Sequence, residues 1–144
     1  MLVTAVAAIV VLDRLLKALA FVSPSATTVP LVDGILSFGL EVNTTGPLGL
    51  PLAPVVPMVV AAVFLCLVPI LWSQLAVWDR RLVLVLSAGV IANAYDRFCF
   101  GYIIDTLHLT LPSLPSLTFN VADLLIIVGV FGLIVRQFPV GYAR

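Results

Sequence analysis

Nine residues of this 144-residue chain have types and spacings that could do chemistry: Asp13, Arg14 and Lys17; Asn93, Asp96 and Arg97; Asp105; Asn120 and Asp123. Paired carboxylates suit acid–base work on a water molecule, one taking its proton while another protonates the group under attack. Repulsion between like charges, with partial desolvation, pushes one apparent pKa of such a pair up and leaves the other acid ionised, so the two titrate as a unit. Spacing adds a constraint, because helix residues three or four apart share a face. Asp13 and Lys17 stand at i, i+4; Asn93, Asp96 and Arg97 stand at i, i+3, i+4 and present an amide, a carboxylate and a guanidinium together. Arg97 can fork onto a carboxylate through two parallel hydrogen bonds.

Each group also has a plainer reading. Asn120 followed by Asp123 is an ordinary helix start, an Asn cap with an acid at the third position where the dipole welcomes it. Asp13 with Lys17 could be a neutralised tie between helices. Asp96 reads as support, because a permanent cation beside it, Arg97, holds it ionised. His108 stands alone in a loop, with no ligand cluster at metal spacing, and is read as non-catalytic. Asp33 and Glu41 read as solvated, and Asp79, Arg80 and Arg81 as a turn that sets orientation.

The elements that must position these residues follow from composition. Of the chain, 62% is hydrophobic and 10% charged, with a mean hydropathy of +1.26. A water-soluble globule cannot hide that much apolar surface. A bilayer needs about 20 apolar residues per helical span, so the length admits four spans with short connections. Apolar runs cover about 2–22, 54–72, 82–100 and 121–138. The expectation is an all-α integral membrane protein, a single membrane domain over 1–144 with four transmembrane helices. The first run carries Asp13, Arg14 and Lys17 in its second half and reads as a retained span, not a signal peptide. Residues 23–52 are rich in Pro and Gly and include a partly alternating stretch, Val29 to Val42, which predicts a small β-sheet or hairpin at one membrane surface. Residues 101–119 alternate through Ile103, Asp105, Leu107, Leu109 and Leu111 and predict an extended connection on the same side.

Four spans place both termini and the second loop together, with Arg80, Arg81, Arg136 and Arg144 on that side, which the positive-inside rule makes cytoplasmic. The two surface segments and every candidate polar group then lie near the outer face. Scattered basic residues and zero net charge argue against nucleic acid as a partner. Cys66 and Cys99 lie in or at the end of apolar runs, where a thiol behaves as a small hydrophobe, and suggest neither a disulfide nor a metal site.

Three motifs, in order, resemble the lipoprotein signal peptidase (signal peptidase II) family of aspartic membrane peptidases. Asp13-Arg14-Leu15-Leu16-Lys17 is similar to its Asp-x-x-x-Lys. Asn93-Ala94-Tyr95-Asp96-Arg97, followed by Gly101-Tyr102-Ile103-Ile104-Asp105, resembles its Asn-x-x-Asp-Arg and Gly-x-Val-x-Asp. Phe119-Asn120-Val121-Ala122-Asp123 resembles its Phe-Asn-x-Ala-Asp. The resemblance implies that Asp105 and Asp123 are the catalytic pair, while Asp13, Lys17, Asn93, Asp96, Arg97 and Asn120 shape and polarise the site. It implies a diacylglyceryl-modified prolipoprotein substrate cut just before its lipidated cysteine, membrane lipids as surroundings, a bacterial inner-membrane location, and no metal or cofactor. The family's Asn-x-Gly-Ala-Ala-Phe segment should fall near Asn43, Thr44 and Gly46, which become substrate-binding candidates; gapless matching puts Thr44 at its Asn. Further departures are Ala92 before Asn93 and Thr106 after Asp105.

Helix-start dipoles favour an ionised Asp123, which casts it as the base. The alternative is a non-hydrolytic membrane homologue that binds lipoproteins or lipids, or a small transporter. A transport path would need polar residues through the inner half of the bilayer, where only Gln74 and Arg136 lie near helix ends. The other intramembrane aspartic class, built on Tyr-Asp and Gly-x-Gly-Asp, finds Tyr95-Asp96 but no second motif.

Overall fold

The computed structural model describes residues 1–23, 28–45, 52–53 and 55–138. Among the described residues there are four α-helices: α1 (Leu2–Val22), α2 (Val55–Leu71), α3 (Val77–Phe100) and α4 (Val121–Gln137). Pro69 lies inside α2, where it withholds a backbone donor, and α2 gives way two residues later to a tight turn at Trp72–Gln74. α3 begins five residues before the apolar run at Leu82, with Asp79 in its first turn. Asp79, Arg80 and Arg81 are therefore the start of a helix, correcting the reading of a turn; an acid in that position complements the dipole.

Among the described residues two segments, Val55–Gln74 and Val77–Phe100, are long and apolar enough to cross a membrane. α1 carries three charges in its second half, and α4 has 17 residues. α2 buries none of its residues although almost all are apolar. Among the described residues the usual partition is inverted. Buried polar side chains (Asp13, Lys17, Asn93, Asp96, Arg97, Asp105, Thr106 and Asn120) are as numerous as buried apolar ones, and most large apolar side chains are exposed. That arrangement is stable where the surroundings are themselves apolar and unpaired polar groups must turn inward.

The two surface segments form one antiparallel sheet in the order β1 (Val29–Val32), β2 (Leu36–Asn43), β3 (Ile103–Leu109), β4 (Leu117–Phe119). Residues 101–119 are extended as expected, but as paired strands: β3 sits inside the sheet, and over Ile103–Thr106 both of its faces are buried. Gly101 makes this possible. With φ at 81° it ends α3 in the left-handed conformation, donating to the Arg97 carbonyl at 3.0 Å, so the chain reverses and β3 starts two residues later.

A register shift in β2 lies between Phe38, which faces Leu107, and Glu41, which faces Asp105. Three residues on β2 span two on β3, so β2 carries one extra residue there. Side chains alternate across a strand, and the extra residue resets the phase. The face that carries Phe38 therefore also carries Glu41 and Asn43, on the side of Asp105.

α3 and α4 pack antiparallel at very short range. A β-carbon at Gly89 would come within 2.8 Å of Ile126 Cγ1 and closer still to the Ala122 carbonyl. This close approach, made by a residue without a side chain, brings Asn93, one turn further along α3, opposite the start of α4.

Candidate active site

Asp105 is 1% exposed, and each of its carboxylate oxygens accepts from an asparagine. Oδ1 accepts from Asn120 Nδ2 at 2.7 Å, and Oδ2 from Asn43 Nδ2 at 3.0 Å. Asn43 can present only its nitrogen, because its own oxygen accepts from the Thr45 backbone N–H and hydroxyl, both at 3.1 Å. Asp123, half-buried, accepts from Asn93 Nδ2 on Oδ1 at 2.7 Å and from the Asn120 backbone N–H on Oδ2 at 3.0 Å. The Asn120 side-chain oxygen in turn accepts from the Asp123 N–H at 3.0 Å, a reciprocal capping box that starts α4. Asn120 thus makes two sets of contacts at once. Its oxygen and backbone cap the helix, while its amide nitrogen reaches Asp105. One residue ties the two carboxylates together.

Behind this pair lies a four-charge cluster between α1 and α3. Lys17 Nζ contacts Asp13 Oδ2 at 3.1 Å, Asp96 Oδ2 at 2.7 Å and Asn93 Oδ1 at 3.3 Å. Arg14 donates to Asp96 Oδ1 at 2.5 Å, to Asp13 Oδ2 at 2.8 Å and to the Ala92 carbonyl at 3.2 Å. Asp13 Oδ1 accepts from the Ala122 backbone N–H at 3.0 Å, fixing the start of α4 to α1. Asp13 and Lys17 are a helix tie, and they are also part of the scaffold under Asp123.

Arg97 behaves differently from the sequence expectation. It forks onto no carboxylate; its Nη2 donates to the Thr45 carbonyl, holding the chain beyond β2, and its buried Nη1 has no partner among the described residues. Asp96 is neutralised by Arg14 and Lys17 instead of by its sequence neighbour. Adjacent helix residues point about 100° apart, so Asp96 and Arg97 face different elements. Arg14 stood among the nine polar candidates, but no role in the site was read for it from the sequence. Charge balance could have found it, since two buried acids, Asp13 and Asp96, need two cations and Lys17 supplies one. The contribution of the Thr45 backbone carries no sequence signal.

Of the substrate-binding candidates, Asn43 reaches the site, Thr44 is exposed, and Gly46 lies outside the described residues. Gapless matching put Thr44 at the family's Asn, but the side chain that reaches Asp105 is that of Asn43. Glu41 and Asp33 are exposed. His108 pairs with Ser37 and Thr118 across the sheet, three residues along β3 from Asp105 and hence on its opposite face. Among the described residues, no three His, Cys, Asp or Glu side chains gather as a possible metal-ligating set.

Burial pushes the Asp105 carboxyl above its usual range, and the neighbouring Asp123 charge adds to the rise, while the amide donors of Asn43 and Asn120 and the more distant Lys17 oppose it. A carboxyl so placed holds its proton to higher pH than a solvated one does. Between α1 and the sheet runs an apolar cavity of about 540 Å³ lined by Leu16, Leu19, Ala20, Phe38, Leu40 and Leu107. Leu107, two residues along β3 from Asp105 and on the same face, is the lining residue nearest to it in sequence, and neither carboxyl lines the cavity.

Comparison with known proteins places the chain in a family and a fold. Residues 5–139 match the family described as Signal peptidase (SPase) II. A lipoprotein signal peptidase from Nostoc punctiforme is 31% identical over 116 residues, covering 77% of this chain and 72% of that protein. One from Microcystis aeruginosa is 37% identical over 62 residues, covering 43% of this chain and 39% of that protein, so this match spans well under two thirds of the relative's length. A solved bacterial membrane enzyme superposes with a TM-score of 0.82 at 17% identity, covering 94% of this chain and 86% of the other, which establishes the shared fold. With nearly its whole length matched, the chain belongs to the signal peptidase II family.

Proposed function

We propose that this chain is an aspartic endopeptidase that removes the signal peptide from diacylglyceryl-modified prolipoproteins, cleaving before the lipidated cysteine with Asp105 and Asp123. The observation that carries the reading is Asn120, whose side chain holds Asp105 at 2.7 Å while its backbone holds Asp123 at 3.0 Å. Two acids tied to one residue can share a water and a carbonyl group. Asp123, at a helix start, takes a proton from water as the oxygen attacks the scissile carbonyl carbon. Asp105, buried and with its carboxyl pushed above the usual range, is cast as the acid and gives its proton to the carbonyl oxygen. The resulting gem-diol collapses as Asp123 passes its proton to the leaving nitrogen and a diol hydroxyl returns one to Asp105. The C–N bond breaks and both acids regain their starting states.

The surroundings support a lipid-bearing substrate. The apolar cavity between α1 and the sheet suits an acyl chain or an apolar signal-peptide side chain. Arg97 Nη1, buried and unpartnered among the described residues, suits a substrate backbone carbonyl. The same reading places four spans in a bacterial inner membrane, both termini in the cytoplasm, and the carboxyls near the outer face. The test is cleavage of a synthetic diacylglyceryl prolipopeptide by purified protein. Asp105→Asn and Asp123→Asn should each lose about 10²- to 10⁴-fold in rate, the usual worth of a positioned acid or base. Full activity in either variant would refute the pair, and an inactive wild type that still binds the lipopeptide would point to a non-hydrolytic homologue.

A further inference from the structure

We infer that Arg14 is a positioning residue for Asp123, acting through Asp96, Lys17 and Asn93. The inference rests on the reading of Asp123 as one of the catalytic pair. In the Asp-x-x-x-Lys spacing, Arg14 occupies an unassigned position, yet it makes three of the contacts that close the cluster.

The chain of contacts is continuous. Arg14 holds Asp96 Oδ1 at 2.5 Å, and the other Asp96 oxygen holds Lys17 at 2.7 Å. Lys17 donates to Asn93 Oδ1 at 3.3 Å, and Asn93 Nδ2 donates to Asp123 Oδ1 at 2.7 Å. An ammonium can only donate, so it selects the amide orientation in which the Asn93 oxygen faces Lys17 and the nitrogen faces Asp123. The opposite orientation would set an oxygen against a carboxylate.

Arg14 keeps Lys17 available for that task by charge balance. Asp13 and Asp96 are opposed by Lys17 and Arg14, two against two, in a site where Asp13, Lys17 and Asp96 are all nearly inaccessible. Without Arg14, one buried carboxylate is left over, and both acids compete for a single ammonium. The contact from Lys17 to Asn93 is the longest of its three and the only one to a neutral group, so it is the one to be lost. Asp13 cannot move away to relieve the competition, because its other oxygen is held by the Ala122 N–H. Arg14 also grips the Ala92 carbonyl, one residue from Asn93.

The experiment compares wild type, Arg14→Gln and Arg14→Lys, each alone and combined with Asn93→Ala. Initial rates with the diacylglyceryl prolipopeptide give kcat and KM, and thermal unfolding is followed in the same detergent. Arg14→Gln should lower kcat by about tenfold to a hundredfold, the scale on which slight misplacement of a reacting group acts. KM should stay within about twofold, because ground-state binding is untouched. Arg14→Lys, which restores the charge but not the fork, should recover part of the rate. In the Asn93→Ala background, Arg14→Gln should cost nothing further, because the link it acts through is already gone. Independently of turnover, the Asn93 side-chain amide signals of asparagine-¹⁵N protein should shift in Arg14→Gln and return toward wild type in Arg14→Lys. Equal losses in both backgrounds, a rate loss that merely follows melting temperature, or unmoved Asn93 signals would overturn the inference. An inactive wild type would refute the catalytic reading alone, and the amide signals would still decide whether Arg14 orients Asn93.

Discussion

Two groups of charges lie at opposite ends of the α3–α4 pair, and only one of them adjoins the Asp105 and Asp123 carboxyls. At the sheet end, Asp13, Arg14, Lys17 and Asp96 form a buried cluster with three of its four members nearly inaccessible. At the far end, Arg136 meets Asp79 at 2.5 Å with side-chain exposures of 42% and 20%. There Arg80 lies over the Trp72 ring at 5.8 Å and Arg81 over Trp78 at 4.3 Å. Both ends pair opposite charges. The difference is solvent: an exposed pair is screened and can exchange protein partners for water, whereas a buried group that loses its partner has no substitute. Geometry is worth holding only where it is expensive to lose, and that is where the carboxyl pair sits.

The contrast is sharpest under substitution. Lys17→Met should destabilise the fold by about 3–5 kcal/mol, the cost of leaving buried carboxylates unopposed, read as lowered resistance to unfolding in mixed SDS micelles. It should also abolish cleavage. Stability near wild type would mean that the cluster protonates and reorganises freely, and the comparison between the ends would fail.

Asn120 separates two duties at smaller scale. Asn120→Ala removes cap and bridge together and should cost about 0.5–2 kcal/mol of stability as a lost N-cap. Asn120→Ser keeps a capping oxygen but loses the amide donor to Asp105 at 2.7 Å. It should hold most of the stability while losing rate, and a serine variant as active as wild type would show the bridge to be dispensable.

Protons give a third contrast. The folded state holds the Asp105 proton to higher pH than the unfolded chain does, so it binds more protons than the unfolded state across that interval. Stability therefore falls as pH rises from the ordinary carboxylate range through the raised value, and the deficit persists above it. Asp105→Asn should remove this fall, leaving the variant more stable than wild type at neutral pH and equal to it in acid. Asn43→Ala, which deletes a donor to the ionised form, should move the alkaline limb of kcat/KM to higher pH. An unmoved limb would detach Asn43 from the titrating acid.

Least affected should be the far end. Asp79→Asn should change stability by under about 1 kcal/mol and leave kcat unaltered, as for other exposed pairs. A larger loss in thermal unfolding would mean that this pair is not solvent-screened.

Much was legible in the sequence because the surroundings leave few options. Runs of apolar residues predict helices wherever backbone groups must be satisfied internally, and polar residues within them stand out because each is expensive. Periodicity placed Asp13 with Lys17 and put Asn120 at a helix start, and alternation marked Ile103–Leu109 as extended. These are local rules, and residues near in sequence obey them. Tertiary structure alone decided which partner each charge takes. Asp96 turned from Arg97 to Arg14, some 80 residues away in the chain. Arg97 took a backbone carbonyl, and a bulge in β2 put Asn43 against Asp105. An ion pair is set by where side chains end, and those endpoints depend on helix rotation, close approach at Gly89 and strand register, none of which a local pattern contains.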